Sequence, residues 1–135
     1  MDIISNMIIQ IKNAGNAGHD RIWVPYSKLK HSIAEVLKKE KFVKDVGAES
    51  KKGKKMLAIG LLFGESRLPT GRQVPKIKGV KRLSKPSRRI YKRASDIRAV
   101  KSGYGALILS TSKGIMSGHE ARRANLGGEA LFTIW

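Results

Sequence analysis

Ser110, Thr111, Ser112, Lys113 and Gly114 place three hydroxyls, an ammonium group and a glycine in five consecutive positions. Two chemistries use such a run. Ser110 and Lys113 form an S-x-x-K pair, the serine and lysine of penicillin-binding hydrolases, but that chemistry needs the serine at the start of a buried helix and separate S-D-N and K-T-G partners. Here the apolar run Ala106 to Leu109 puts Ser110 at the end of a strand, and the partner motifs are absent. The other chemistry is recognition. Short hydroxyls and open backbone amides donate and accept hydrogen bonds at close range, which suits contact with a polar surface. Gly127, Gly128 and Glu129 form a second cluster before the final strand, Ala130 to Trp135, and would lie beside the first if the two strands pair. His19, His31 and His119 show no metal-ligand spacing, and phosphate-loop and dinucleotide fingerprints are absent, so neither an enzyme nor a cofactor is expected.

Charge names the kind of partner. The 135 residues carry 28 Lys and Arg against 10 Asp and Glu, a net charge of +18, and a polyanion is the expected counterpart. Arg67 to Arg93 holds eleven basic residues and no acidic one. Pro69, Pro75 and Pro86 with Gly71 and Gly79 forbid a long helix there, which removes a basic membrane helix from consideration. Lysines and arginines such as Lys85, Arg88 and Arg89 would neutralise phosphates without reading sequence. Ser110, Thr111 and Ser112 suit the wide, shallow minor groove of RNA, and Gly114, Gly127 and Gly128 permit close backbone approach. Glu129 is repelled by phosphates, so it either bonds to base amino groups and 2′-hydroxyls or braces the loop from within. Tyr91, between Arg88-Arg89 and Lys92-Arg93, is placed either to stack on a base or to fill a core.

The rest of the chain must position these groups. Ile3, Ile4, Met7, Ile8 and Ile11 repeat at helical spacing after the capping residue Asp2, and Asn13 to Gly18 supplies stop signals. Arg21 to Pro25 reads as a strand. Ser27 caps a second helix with Leu29, Ile33, Val36 and Leu37 on its apolar side and Lys28, Lys30, Lys38 and Lys39 opposite. Phe42–Glu49 and Lys55–Phe63 read as strands joined by a basic tip at Lys51 to Lys54. The sequence therefore predicts an α+β fold of two small modules: residues 1–64 in the order α-β-α-β-β, a linker at 65–76, and a mostly β module with short helices at 77–135. In the second module, Ile77 to Leu83 is expected as a strand, Ser84 to Arg89 as a basic loop, and Ser95 as the cap of a helical turn ended by Gly103. Tyr104 to Leu109 is expected as a strand. Ser117 with Glu120 forms a capping box opening a helix over Gly118 to Asn125. Cysteine is absent, the longest apolar run spans only Met56 to Phe63, and Met1 to Asn6 lacks the basic flank of a secretory signal, so a cytoplasmic protein without a membrane contact is expected.

Ser110 to Gly114 followed by Met116, the Glu120-Ala121-Arg122-Arg123 helix, Leu126-Gly127-Gly128-Glu129 and the closing strand to Trp135 resemble the ribosomal protein S8 family of bacterial small subunits. The resemblance extends to Ser27-Lys28-Leu29-Lys30, to Arg82-Leu83-Ser84-Lys85-Pro86, to Arg88-Arg89-Ile90-Tyr91 and to the N-terminal helix. It implies a structural, non-enzymatic protein that binds a helical junction in the central domain of small-subunit (16S) ribosomal RNA and lies beside other small-subunit proteins. It carries minor-groove contact onto the loop from Ser110 to Gly114 and onto Gly127, Gly128 and Glu129, with Tyr91 nearby. Lys30 and the basic hairpin, including Lys55, would touch a neighbouring RNA helix. Some members also bind their own operon messenger RNA, so translational repression is implied as a second activity; no small-molecule substrate is. Two stretches depart from the family pattern: residues 64–76 are longer than the usual connection, and Ser117-Gly118-His119 stands where a threonine and an acidic residue are common.

Overall fold

The computed structural model describes residues 3–64, 74–98, 100 and 105–135. Its elements run α1 (Ile3–Asn16), β1 (Arg21–Pro25), α2 (Lys28–Lys39), β2 (Val43–Lys51), β3 (Lys54–Leu61), β4 (Phe63–Gly64), β5 (Val74–Pro75), β6 (Val80–Arg82), β7 (Tyr91–Lys92), β8 (Ala106–Thr111), β9 (Gly114–Ser117), α3 (Gly118–Arg123) and β10 (Gly128–Ile134). A single 3₁₀ turn, Ala94–Asp96, lies between β7 and β8. The α+β class and the order α-β-α-β-β of the first half are as the sequence predicts.

Two antiparallel sheets carry the fold. The first has the order β1-β3-β2; the second has the order β6-β10-β8-β9, with β7 pairing on β10 as well. Two helices connect them, because α1 touches β1 and β6 while α2 touches β2 and β9. Burial follows from that arrangement. Ile4, Met7, Ile8 and Ile11 of α1, Ile33 and Leu37 of α2, Ile22 and Val24 of β1, and Leu57 and Ile59 of β3 share one cluster with Ile108, Phe132 and Ile134 of the second sheet. A smaller cluster of Ile97, Leu107, Leu109, Ala121 and Ala130 covers that sheet's other face. β8 is thus buried on both sides, which is why it reads as the unbroken apolar run Ala106-Leu107-Ile108-Leu109 rather than as an alternation.

Local chemistry sets the element ends. The Ser27 hydroxyl accepts from the Lys30 amide and caps α2; Ser117 does the same for α3 from the Glu120 amide. Phe42 is delivered to the core because Lys41, at φ 64, turns the chain after α2 and the Phe42 amide bonds back to Leu37. Gly79 sits against the closing residue: Lys78 and Gly79 amides donate to the Trp135 carbonyl, the Trp135 amide returns to Gly79, and a Cβ at Gly79 would stand 2.6 Å from the Trp135 ring.

The structure corrects several expectations. Ile3 and Leu29, assigned to apolar helix faces, are 44% and 37% exposed and belong to neither hydrophobic cluster. The strand expected over Ile77 to Leu83 shortens to Val80–Arg82; Gly79 and Trp135 still exchange backbone hydrogen bonds as the next pair in register, but the register ends there and leaves Ile77 and Lys78 no residue opposite them. Ser95 is not a cap; it lies within the 3₁₀ turn, whose N-cap is Arg93 with no side-chain bond. The helix expected to reach Asn125 ends at Arg123, and Asn125 takes φ 55 on leaving it. The hairpin strands at 43–51 and 54–61 are longer on the turn side than expected, so the tip is only Lys52-Gly53. Of the expected linker, residues 65–73 lie outside the described residues, as do Asp2, Gly103 and Tyr104, while Val74–Pro75 pairs back on Phe63–Gly64.

Phe132 is fully buried and links the two sheets. Phe132→Ala should lower the unfolding free energy by roughly 3–5 kcal/mol in urea titrations, while Ile3→Ala should change it by no more than about 0.5 kcal/mol. Equal effects would place the core elsewhere.

Candidate nucleic-acid interface

The hydroxyl tip is a hairpin. β8 ends at Thr111, Ser112 and Lys113 form the turn, and β9 returns from Gly114, which takes φ 110. The sequence reads Gly114 to Ser117 as part of an open tip; the structure pairs it with β8, Leu109 opposite Met116 and Ser110 opposite Ile115. Thr111 holds the turn closed, its hydroxyl donating to the Gly114 carbonyl at 2.8 Å and accepting from the Lys113 amide at 3.2 Å. That engages Thr111 within the turn. Ser112, Lys113 and Gly114 are exposed, and Ser110 is half-buried at the strand end.

The second cluster lies directly beside the first. In the β8–β10 pairing Gly128 faces Thr111 and Glu129 faces Ser110; on the other side of β10, Gly128 faces Lys92 and Glu129 faces Tyr91. One sheet end therefore carries Ser110, Glu129 and Tyr91 in a row, with Thr111, Gly128 and Lys92 in the row beside it. Gly128 allows this approach: a Cβ there would run into the Ser110 carbonyl and the Thr111 Cα. Gly127 is similarly confined by the Lys92 carbonyl and Arg93. Tyr91 is 70% exposed, which resolves its two sequence readings in favour of a surface ring.

Glu129 is held from within. Ser84, fully buried, accepts from the Ile90 amide at 3.2 Å and donates its own hydroxyl proton to Glu129 Oε2, in a short hydrogen bond. Arg89 Nη1 donates to the same oxygen at 3.0 Å. Burial works to raise the Glu129 pKa, but the hydrogen bonds from Ser84 and Arg89 and the charges of Arg89 and Arg82 outweigh it, leaving the carboxyl below its ordinary value. Of the two sequence readings of Glu129, bracing is the one these contacts describe. The network also fixes the strand bearing Tyr91, since the Ala130 amide bonds to the Ile90 carbonyl and the Ser84 amide to the Ala130 carbonyl. Ser84 was not singled out in the sequence; its only signal there is its place in the Arg82-to-Pro86 run.

The remaining candidates surround or leave this surface. Lys85 and Arg88 are exposed and close the turn before Ile90 through reciprocal backbone hydrogen bonds. Lys30 and Lys55 belong to the first sheet and its helix. The Tyr26 amide ties the start of α2 to the Lys55 carbonyl, and the Lys55 ammonium lies 4.0 Å from the Tyr26 ring centroid. Between the halves, Lys39 of α2 pairs with Glu120 of α3 at 2.8 Å, and that contact holds the lysine pKa above its ordinary value. Among the described residues no group of three or more His, Cys, Asp or Glu is arranged to hold a metal ion.

A basic α+β chain that gathers small hydroxyl and glycine residues at a sheet end beside an exposed tyrosine has the character of a nucleic-acid-facing protein. Comparison with known proteins places it more closely. A family model described as ribosomal protein S8 matches residues 2–135. The chain is 44% identical to the small ribosomal subunit protein uS8 of Sorangium cellulosum, over 99% of this chain and 98% of that one. It is 45% identical to the uS8 of Heliobacterium modesticaldum and 42% identical to that of Mycoplasmopsis synoviae, each over 99% of this chain and 97% of the relative. The chain belongs to the ribosomal protein S8 family, whose members are ribosomal proteins and not enzymes.

Because the folded Glu129 pKa is lowered from 4.5, its network contributes stability that is complete above that value and disappears as pH falls through the folded one. Urea titrations of wild type and Glu129→Gln should therefore differ most at neutral pH, and the difference should shrink as pH falls below 4.5 through the folded value. A gap that stays constant down to about pH 3 would show that the ionised carboxylate is not what the network stabilises.

Proposed function

We propose that this chain, a constituent of the small ribosomal subunit acting in the cytoplasm, binds and orders a helical junction in the central domain of 16S ribosomal RNA, with neighbouring small-subunit proteins as further partners. Its family membership supports the ribosomal role. The observation that carries the finer reading is the row of Ser110, Glu129 and Tyr91 along one sheet end, with Gly128 in the row beside it and Ser112 in the adjoining turn. Ser110 and Ser112 offer short donors and acceptors to a minor groove, and the two glycines let the strands that carry these groups close up on one another. Tyr91 adds an exposed ring for stacking. Glu129 acts indirectly, holding Arg89 by a direct bond and the strand bearing Tyr91 through Ser84. The net charge of +18 supplies long-range attraction, while Lys30 of α2 and Lys55 of the first sheet reach a second helix of the same RNA.

Attraction and recognition should separate in binding measurements. Ser110→Ala or Ser112→Ala should weaken binding to small-subunit ribosomal RNA by about 1–3 kcal/mol and leave binding to unrelated structured RNA nearly unchanged. Arg88→Ala should weaken both and reduce the steepness of the log K against log salt plot by roughly 0.7–0.9. Equal losses on both RNAs for the serine variants would contradict recognition by this loop.

A further inference from the structure

The open face of the first sheet presents an aromatic ring that the proposed junction contact does not use. Along β1, Ile22 and Val24 point into the core, so Arg21, Trp23 and Pro25 share the opposite face. Their register partners on that face are Gly60, Ala58 and Met56 of the central strand β3, followed by Asp45, Gly47 and Glu49 of β2. Trp23 starts from the edge strand β1, yet its Nε1 donates to Glu49 Oε2 at 3.4 Å and the Lys51 ammonium stands 4.0 Å from its ring centroid. Both partners belong to β2. To reach them the indole must lie across β3, and Ala58, which faces this open side, is fully buried although it is not part of the core cluster. The ring is thus backed by the sheet on one side and remains 36% exposed. Beside it in the same row, Gly47 leaves open space, with nothing within 4 Å of where a Cβ would stand. Arg21 pairs with Asp45 at 3.0 Å and closes the far end.

We propose that this face is a second RNA-binding site, at which an unpaired base stacks on Trp23 while Lys51 moves from the ring to the adjoining phosphate. The proposal rests on the reading of the chain as an RNA-binding protein and specifies a ligand that the hydroxyl hairpin does not take. A rigid aromatic ring on an antiparallel sheet beside flexible lysines is the arrangement with which proteins hold single-stranded nucleic acid. The charge fits, since Lys51, Lys52, Lys54 and Lys55 crowd the adjacent hairpin tip and are all exposed. A lysine is suited to the exchange, because its four-carbon stem carries the ammonium from the ring face to a phosphate without backbone movement. Glu49 adds a preference. Its carboxylate already accepts from the indole, and its other oxygen can accept from an exocyclic base amine, which adenine carries and uracil lacks.

The full chain is titrated with the twelve-nucleotide RNAs A12 and U12, following tryptophan emission. A12 should quench the wild type saturably, and the quenching should be absent in Trp23→Ala, where only Trp135 reports. The A12 affinity of that variant should fall roughly 5- to 150-fold, whereas Trp23→Tyr should stay within about threefold of wild type. Trp23→Tyr keeps an aromatic on the same strand, and Trp23→Ala should keep the far-UV circular dichroism and the RNA discrimination of the wild type, which shows that its loss on A12 is not one of folding. Glu49→Gln should reduce the preference for A12 over U12. An unquenched wild type, or equal A12 affinity in wild type and Trp23→Ala, overturns the proposal; so does Trp23 emission that responds to small-subunit proteins but not to A12. The two readings fail separately. Loss of discrimination between small-subunit and unrelated RNA, with A12 quenching intact, would refute the hairpin reading alone. Discrimination that persists without quenching would refute the stacking site alone.

Discussion

The close approach of Gly128 to the Ser110 carbonyl sets the geometry on which the rest depends. No side chain fits between the two strands there, so β8 and β10 come together at the end where the chain also turns through Ser112 and Lys113. β10 then serves three neighbours, with β8 on one side and β6 and β7 on the other. A register shift between Ala130 and Phe132 lets two consecutive residues be buried on the same face: Leu131 and Phe132 both join the larger cluster, while Ala130 joins the smaller one. The recognition row and both hydrophobic clusters hang on this one strand. A Cβ at position 128 would push the first apart and strain the second.

The chain divides attraction from shape. Its excess of lysine and arginine is spread over both sheets, and most of these side chains are exposed. The groups at the proposed recognition row are instead fixed by specific bonds. Thr111 closes its turn, Ser84 is buried between Glu129 and the Ile90 amide, and Arg89 is drawn onto the carboxylate. An acidic residue in so basic a surface is thereby explained without a direct contact to RNA: Glu129 is lowered in pKa, kept charged, and used to hold a cation and a strand in place. The Lys39–Glu120 pair works in the same way between the halves, tying α2 to the helix that follows the hydroxyl hairpin.

What could be seen in the sequence was what local chemistry decides. Helical spacing located α1 and α2, Ser27 and Ser117 announced the caps of α2 and α3, and the paired glycines before the last strand pointed to a close approach. Gly114 to Ser117 was not legible as a strand, because four residues are too few to show alternation and its partner is the strand just before it. Nor was Ser84, a serine in a basic loop whose partner, Glu129, lies 45 residues away. Trp23 was legible only as a member of a strand; its significance arises from Ala58 and Gly47, small residues that become its neighbours only when β1, β3 and β2 pair. Long-range partners of single polar or aromatic residues leave no local signature, and these are the ones that shape both proposed sites.

The most direct test of the account replaces Tyr91 with a photo-crosslinking amino acid in cells and sequences the RNA that is captured. The account predicts crosslinks concentrated at one helical junction of small-subunit ribosomal RNA and lost on substituting Gly128 with Val. Crosslinks scattered along ribosomal RNA, or confined to messenger RNA, would contradict it.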